Sequence, residues 1–402
     1  MKRLQAFKFQ IEPNGSQLHA MQQFAGNVRK VWNLALARQQ ASYEAGEKFT
    51  NSFGMNNWLP AWKNELPYLH LSPSQTLQQI TKDLHRAFKN FFEKRADFPK
   101  FKKKGFASNS FRFPQGCKLE QQNSRIFLPK LGWVRYRNSR HVLGAIKNVT
   151  VSQRNGHWFV SVQTERDVSQ PIPIATTEVG IDVGIARFAT LSDGKYIEPI
   201  NSFKKHQIRL ARYQRRMSRK VRFSRNWLKA KAKIQKIHST IANVRCDFLH
   251  KTSTTISKNH AFVCVENLQI GNMSKSAKGN CEKHGRNVRK KAGLNRAILD
   301  QGWGEFRRQL AYKLEWNGGI FLAVDPKNTS RTCPACQHFS ADNRITQADF
   351  VCVGCGYANH ADVVGAINVL ERGHRLLACG ERMQSGRSKK QELTEVIHTQ
   401  AA

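Results

Sequence analysis

Residues 178–184 read Glu-Val-Gly-Ile-Asp-Val-Gly, an apolar run with a carboxylate close to its end. Such a run predicts a buried strand, and residues 188–200 predict two more strands around a turn. A later apolar strand, residues 261–266, also ends in a carboxylate, Glu266. Asp362 then opens the last predicted helix. The order of these elements indicates an α/β fold with acids at strand ends.

Three carboxylates occupy special positions in this pattern: Asp182, Glu266 and Asp362. Each alone has an ordinary explanation, since an acid often begins a loop and Asp is a favoured helix N-cap. Together with the strand order they indicate an RNase H-like fold, whose carboxylates converge and hold two Mg²⁺ ions about 3.5–4 Å apart. Gly180 and Gly184 fit this interpretation, because backbone beside a bound phosphate leaves little room for side chains.

Four of the nine cysteines form two Cys-x-x-Cys pairs, Cys333/Cys336 and Cys352/Cys355, with 15 residues between the pairs. This spacing is typical of a zinc ribbon, in which two tight turns present four thiolates to one tetrahedral Zn²⁺. Because four thiolates leave no open coordination position, the predicted zinc is structural and not catalytic. Reduced thiols that only pack are the alternative interpretation.

The charge balance predicts a polyanionic partner. The 402-residue chain has 66 Lys and Arg against 28 Asp and Glu, a net charge of +38. Residues 201–260, predicted to form a hairpin of two helices, contain 17 Lys or Arg and one acid, Asp247. A solvated charged face is the alternative, but the near absence of acids that could pair with these cations favours contact with nucleic acid. A basic aromatic segment at residues 98–104 favours the same interpretation. The predicted contacts are Lys100, Lys102, Lys103, Arg215, Arg216, Arg219 and Lys220.

Composition excludes several classes of protein. With 40% hydrophobic residues the chain can bury a core, so it is not a disordered basic tail. Its longest apolar runs, such as residues 320–324, fall far short of the ~20 residues of a membrane-spanning helix. The first eight residues contain no apolar stretch that could serve as a signal peptide. We therefore expect a soluble protein of a reducing compartment.

The N-terminal half predicts mixed structure. Residues 7–12 alternate like a strand, and apolar residues recur at helical spacing over 18–36, with Ser16 as the expected N-cap. This helix is apolar enough to be core first, so little supports a helix-turn-helix. Strands dominate residues 110–165, where Asn155-Gly156 predicts a hairpin turn.

Motifs over nearly the whole chain connect it with one family. They lie at residues 7–13, 98–102, 128–132, 180–184, 265–268 and 329–333. In these motifs, and in the order Asp, Glu, zinc ribbon, Asp, the chain resembles the TnpB (OrfB) family. Its members are RNA-guided DNA endonucleases of insertion sequences, regarded as ancestral to type V CRISPR effectors.

The resemblance implies that Asp182, Glu266 and Asp362 are a RuvC-like catalytic triad that binds two Mg²⁺. It also implies two partners, a guide RNA from the transposon end and double-stranded target DNA next to a short motif. A prokaryotic cytoplasmic protein, associated with the nucleoid when on DNA, is expected. Two residues depart from the family pattern: Val364 replaces a common Asn, and Gln337 replaces a common Gly. Residues around metal ligands can change activity 10–100-fold, so Val364 puts the cleavage rate in question.

The resemblance also implies a domain organisation. A helical recognition domain and a small β-barrel (wedge) domain precede a RuvC-like nuclease domain with an inserted zinc ribbon. The expected bounds are 1–14 and 100–168 for the barrel, 15–99 for the helices, 175–327 and 357–377 for the nuclease, 328–356 for the ribbon and 378–402 for a disordered tail. A linker with two prolines, residues 170–174, separates the halves.

Three other functions remain open at this point. A nuclease-inactive, RNA-guided DNA-binding repressor would be expected to lack the triad, and all three acids are present. A strand-joining transposase would use the same fold and metals. A zinc-ribbon protein of a structural RNA assembly would need neither the carboxylates nor the three-strand opening.

Overall fold

A computed structural model describes residues 1–378, so the predicted disordered tail lies, from residue 379 on, outside the described residues. The chain divides into two compact units between Ser169 and Gln170, at the start of the predicted linker. The finer domain bounds expected from the sequence stay a prediction.

Residues 1–169 form a seven-stranded antiparallel sheet with four α-helices and a 3₁₀-helix. The strands are β1 (Lys2–Glu12), β2 (Ser110–Phe113), β3 (Lys118–Glu120), β4 (Arg125–Leu128), β5 (Gly132–Tyr136), β6 (Ala145–Arg154) and β7 (His157–Asp167). The helices are α1 (Gly15–Glu44), α2 (Ser52–Asn56), α3 (Leu59–Glu65), the 3₁₀-helix Pro67–Leu71 and α4 (Ser74–Phe92).

The strand order of this sheet is β2-β6-β7-β1-β5-β4-β3. The turn between β6 and β7 has Asn155 at φ +51° and Gly156 at φ +84°, which confirms the predicted hairpin. The hydrogen-bonded ladder begins at β2 and ends at β3. The small β-barrel expected for these strands stays a prediction.

Strand β1 and helix α1 share one hydrophobic core. Phe7, Phe9 and Ile11 are buried on one face of β1, as their alternation predicts. The predicted N-cap of α1 was wrong: Asn14, not Ser16, caps the helix, because its side chain accepts the Gln17 N–H at 2.8 Å. The Gln17 side chain accepts the Asn14 N–H in return, which completes a capping box.

The second unit contains a five-stranded mixed sheet, a two-stranded hairpin and six helices within its described residues. The strands are β8 (Glu178–Asp182), β9 (Ala189–Leu191), β10 (Tyr196–Ile197), β11 (Phe262–Glu266), β12 (Ile320–Val324), β13 (Asp349–Val351) and β14 (Ala358–His360). The helices are α5 (Ser202–Ser218), α6 (Arg225–Asn259), α7 (Ile270–Met273), α8 (Val288–Gln301), α9 (Trp303–Trp316) and α10 (Ala361–Ala378).

The five strands follow the order β10-β9-β8-β11-β12. Strands β8, β11 and β12 are parallel, whereas β9 and β10 continue from β8 as an antiparallel meander. Side chains on one face of the parallel strands, such as Ile181 and Val265, join a core with α6 and α9. The opposite face, with Phe262 and Cys264, packs against α10.

Helix α10 lies directly on the sheet because glycines remove the side chains between them. A Cβ on Gly180 would lie 2.0 Å from the Ala366 carbonyl oxygen, and one on Gly373 would lie 2.0 Å from the Cys264 sulfur. The predicted role of Gly180 beside a phosphate was therefore wrong, since its open side is filled by α10. This close contact fixes the position of α10 on the sheet.

Candidate active site and metal centre

Asp182 and Glu266 end two adjacent parallel strands. The register pairs Ile181 with Val265, so the two acids, each one residue further on, lie side by side at the same sheet edge. Because side chains alternate along a strand, both acids share the face of Gly180, which α10 covers. The first two predicted site residues are thus brought together.

Helix α10 brings the third acid to this edge. A Cβ on Gly365 would lie 3.1 Å from Asp182 Oδ2, so the Asp182 carboxylate faces the N-terminal part of the helix. Asp362 lies three residues earlier, in the first turn and on the same side of the helix. Its N–H donates to His360 Nδ1 at 3.2 Å.

Burial and like charge act together on this cluster. Burial, followed by the negative charges of Glu266 and Asp362, raises the pKa of Asp182 well above its usual range. Burial also raises the pKa of Glu266, against the lowering effect of a hydrogen bond from Thr329. Such carboxylates favour a nearby cation, because uncompensated buried charge is costly.

The acids leave space between them. In residues 1–378 only the four cysteines bring three or more metal-ligating atoms all within 4.8 Å of one another. The oxygens of the three carboxylates therefore do not all lie within 4.8 Å of one another.

A short relay of hydrogen bonds positions Glu266. Buried Asn368 on α10 donates through Nδ2 to the carbonyls of Thr329 and Thr332, both at 2.7 Å. Thr329 Oγ1 then donates to Glu266 Oε1 at 2.7 Å. Sequence reasoning missed this function, although Thr329 belongs to a motif on which the family resemblance rests.

Arg344 is a second residue that the sequence did not indicate. It belongs to the segment between the cysteine pairs, and its positive charge lowers the pKa of Asp182. Its guanidinium donates to the Gln347 carbonyl at 2.8 Å, which anchors the side chain within that segment. No local pattern marks it, because its approach to Asp182 depends on the tertiary fold.

The four predicted metal ligands converge. The sulfur–sulfur distances are 3.6 Å for Cys333 to Cys355 and 3.5 Å for Cys336 to Cys352. A tetrahedral ion with metal–sulfur bonds of about 2.3 Å separates its ligand atoms by roughly 3.8 Å. The cluster therefore fits one tetrahedral ion.

The two cysteine turns have the same backbone. Cys333 N–H donates to the His338 carbonyl at 3.0 Å, and its own carbonyl accepts the Gln337 N–H at 2.9 Å. Cys352 repeats both bonds with the residues at the same offsets. Gln337 and Gly356 occupy the same position in the two turns, with φ of +62° and +71°. Gln337, which replaces the glycine common in the family, therefore has a glycine-like backbone conformation. Its side chain donates to Glu371 on α10 at 3.1 Å.

Val364, the other departure, is fully buried and packs with Cys333 and Cys352. Its side chain therefore joins α10 to the cysteine turns. This packing explains an apolar residue at the position.

The predicted nucleic-acid contacts differ in their surroundings. Arg215 and Arg216 end α5 and, like Arg219 and Lys220 after it, are exposed. Lys102 is directed inward: its ammonium lies 3.6 Å from the centre of the Trp32 ring, and burial lowers its pKa. Lys100 and Lys103 are both exposed, and the Lys100 ammonium lies 3.8 Å from a carboxylate oxygen of Asp97.

The acids at one edge of a mixed sheet, a four-cysteine metal centre and a net charge of +38 define a nucleic-acid-acting protein of the α/β class. Family comparison agrees. Residues 157–277 match the OrfB (IS605) family, described as a probable transposase, and residues 303–369 match the Cas12f1-like TNB domain.

Two relatives carry the name "Putative RNA-guided DNA endonuclease". InsQ of Escherichia coli K12 is 58% identical over 100% of both chains. A Streptomyces pristinaespiralis protein is 32% identical over 95% of this chain and 92% of its own. The chain belongs to the TnpB/OrfB family.

Two further comparisons concern structure. Residues 1–48 match a family described as a helix-turn-helix domain, yet they fold here as one strand and one 30-residue helix. The mini-RNA-guided endonuclease CRISPR-Cas_phi3 is 10% identical over 92% of both chains, with a TM-score of 0.44, too low to support a conclusion.

Within residues 1–378, no helix combines the length and apolarity that crossing a membrane requires.

Proposed function

We propose that this protein is an RNA-guided DNA endonuclease that hydrolyses phosphodiester bonds at Asp182, Glu266 and Asp362. The observation that carries the proposal is the placement of these acids, from two strand ends and one helix start, at a single sheet edge. The names of two relatives, each similar over nearly its whole length, support the same activity.

The strand order supports an RNase H-like, RuvC-like assignment for the second unit. Three consecutive strands form a meander, and two later parallel strands extend the sheet from its first strand. In this assignment the cysteine segment, residues 328–356, is an inserted zinc ribbon, and the sheet of the first unit corresponds to the wedge domain.

Magnesium suits the acid cluster, because hard cations prefer carboxylate oxygens and the buried Asp182 is subject to the negative charges of Glu266 and Asp362. Two bound Mg²⁺ ions would neutralise the acids and polarise the scissile phosphodiester. The chain itself holds Glu266 in place through Thr329. Arg344 adds positive charge on the side of the ribbon.

Zinc suits the four-cysteine cluster, whose thiolates and spacing match its preferred tetrahedral geometry. With all four positions taken by cysteine, the ion would be structural. It would fix the cysteine turns against α10, and therefore the position of Asp362.

The proposed partners are a guide RNA and double-stranded target DNA. The exposed cations of the α5–α6 hairpin support contact with phosphates, and base pairing with the guide would supply sequence specificity. A short motif beside the target would be read by the protein itself.

The test begins with sequencing of RNA that copurifies with the chain expressed from its own locus. A guide programmed from that RNA should direct Mg²⁺-dependent cleavage of matched DNA, and a scrambled guide of equal length is the control. Free ends without joined products support the endonuclease. Strand-joined products would indicate a transposase, and guided binding without cleavage would indicate a repressor.

A further inference from the structure

The turn between α5 and α6 exposes apolar side chains at the end of a highly charged helical pair. We refer to residues 219–227 as the hairpin tip. Val221 is 80% exposed and Phe223 is 67% exposed. The core between the two helices is formed by other residues, among them Leu210 and Ile237, which are buried. The centre of the Phe223 ring lies 5.5 Å from that of Trp227, yet most of the Phe223 side chain stays open to solvent.

The backbone presents this ring in a fixed conformation. Phe223 has φ +69°, a left-handed conformation that is unfavourable for a bulky side chain and natural for glycine. Ser224 then caps α6, because its Oγ accepts the Trp227 N–H at 3.2 Å. The Ser224 N–H donates to the Val221 carbonyl at 3.1 Å. A strained, well-held and exposed aromatic residue is typical of a binding site.

Positive charge surrounds the ring. Residues 203–246 contain no Asp or Glu. The tip and its flanks carry Arg215, Arg216, Arg219, Lys220, Arg222, Arg225, Lys229 and Lys231. Within the part of the chain that the structure describes, none of these cations forms a salt bridge. The Arg222 guanidinium lies 4.9 Å from the centre of the Phe223 ring, and the Lys231 ammonium lies 5.2 Å from that of Trp227.

We propose that the hairpin tip binds unpaired nucleotides, with a base stacked on Phe223 and the neighbouring phosphates on the surrounding cations. An aromatic ring among cations matches a strand that offers both π-faces and phosphates. The bases of a duplex are already stacked on one another, so the site should prefer single strands. The inference rests on the proposed function only in taking nucleic acid as the partner.

The test measures binding by the full-length protein after removal of copurified nucleic acid. The probes are fluorescein-labelled oligo-dT, oligo-U and a blunt DNA duplex of equal length, in buffer without Mg²⁺ and without chelator, so that no cleavage occurs and the proposed zinc is retained. Phe223→Ala should weaken single-strand binding roughly 5- to 100-fold and duplex binding less than about twofold. Phe223→Trp should retain binding. Ile208→Ala is the matched control, because Ile208 is also a largely exposed apolar residue, on α5 and outside the tip.

A second variant separates binding from folding. Phe223→Gly fits the left-handed backbone, so it should melt no lower than the wild type and still lose single-strand affinity. The slope of affinity against salt should stay the same in both variants, because no phosphate contact is removed. Loss with oligo-U alone would assign the site to RNA, and loss with oligo-dT alone to DNA.

Unchanged single-strand affinity in Phe223→Ala or Phe223→Gly would overturn the inference, as would an equal loss with the duplex. Neither result depends on cleavage. A wild-type protein that never cuts DNA would contradict the proposed function and leave this result standing.

Discussion

At the scale of single residues, Thr329 partly opposes the effect of burial on the pKa of Glu266. Its hydroxyl donates to the carboxylate at 2.7 Å and lowers a pKa that burial raises. Thr329→Val should therefore raise the Glu266 pKa further, so that the carboxylate becomes ionised only at higher pH. We expect the acidic limb of the pH–rate profile for cleavage to move to higher pH, with activity at neutral pH roughly 10-fold lower.

Thr332→Val is the matched control for this change. Its hydroxyl lies in the same segment, but it donates to the Asn328 carbonyl at 3.0 Å and not to Glu266. An acidic limb that moves equally in both variants would contradict the role given to Thr329.

Two glycines should respond to the same substitution with opposite signs. Gly180→Ala would place a methyl group 2.0 Å from the Ala366 carbonyl oxygen and force α10 off the sheet, at a cost of roughly 3 kcal/mol. Gly293→Ala, inside α8 and with no atom within 4 Å, should stabilise by about 1 kcal/mol. Thermal denaturation measures both. Equal stability of the two variants would show that α10 is not seated as described.

Residue positions were predictable from the sequence where they depend on local pattern. The placement of Asp182 and Glu266 at one sheet edge was predicted because each ends an apolar run and the ends of parallel strands converge, whereas their catalytic role stays a prediction. The role of Gly180 was misjudged because its neighbour, α10, follows some 180 residues later in the chain. The position of Arg344 close enough to Asp182 to lower its pKa likewise depends on the tertiary fold.

At the scale of elements, the cysteine turns and α10 should be stable only together with their metal. Val364 packs on Cys333 and Cys352, and Gln337 donates to Glu371, so loss of the ion should loosen the start of α10. Metal analysis should find one zinc per chain. Cys333→Ser or a strong chelator should lower the melting temperature, since a structural zinc site supplies about 10–16 kcal/mol of apparent binding energy.

Cys117→Ser is the control for this prediction, because Cys117 lies in the other unit and outside the cluster. Protein purified without chelator that contains no zinc, or that melts identically after chelation, would contradict the assignment.

The α5–α6 hairpin is the element expected to carry electrostatic binding. Replacing Arg215, Arg216, Arg219 and Lys220 with Ala should weaken binding of RNA or DNA and flatten its salt dependence. Each lost phosphate contact should reduce the log–log slope by roughly 0.7–0.9. Lys251→Ala is the control, since its ammonium already pairs with Asp247 at 2.8 Å. An unchanged slope in the fourfold variant would show that these cations face only solvent.

At the scale of the whole molecule, sequence patterns predicted much of the second unit and less of the first. The meander, the parallel strands and the last helix follow from apolar runs and turn residues whose order admits few topologies. The small β-barrel expected in residues 1–169 was implied by the family resemblance, because alternating strands indicate pairing without showing how the sheet curves. The cap of α1 was placed two residues late because Asn14 and Ser16 are both good capping residues.

The central claim is that three acids, far apart in sequence, form one catalytic site. Its most direct test is a single-turnover cleavage assay with guide RNA, matched DNA and Mg²⁺ on Asp182→Asn, Glu266→Gln and Asp362→Asn. Each neutral variant keeps the size of its acid, so guide and target binding should match the wild type. The melting temperature of Asp182→Asn in the absence of Mg²⁺ should be unchanged or higher than that of the wild type, because a buried acid that repels its neighbours is removed. We expect all three variants to lose cleavage while binding persists. Normal cleavage by any one of them would contradict it.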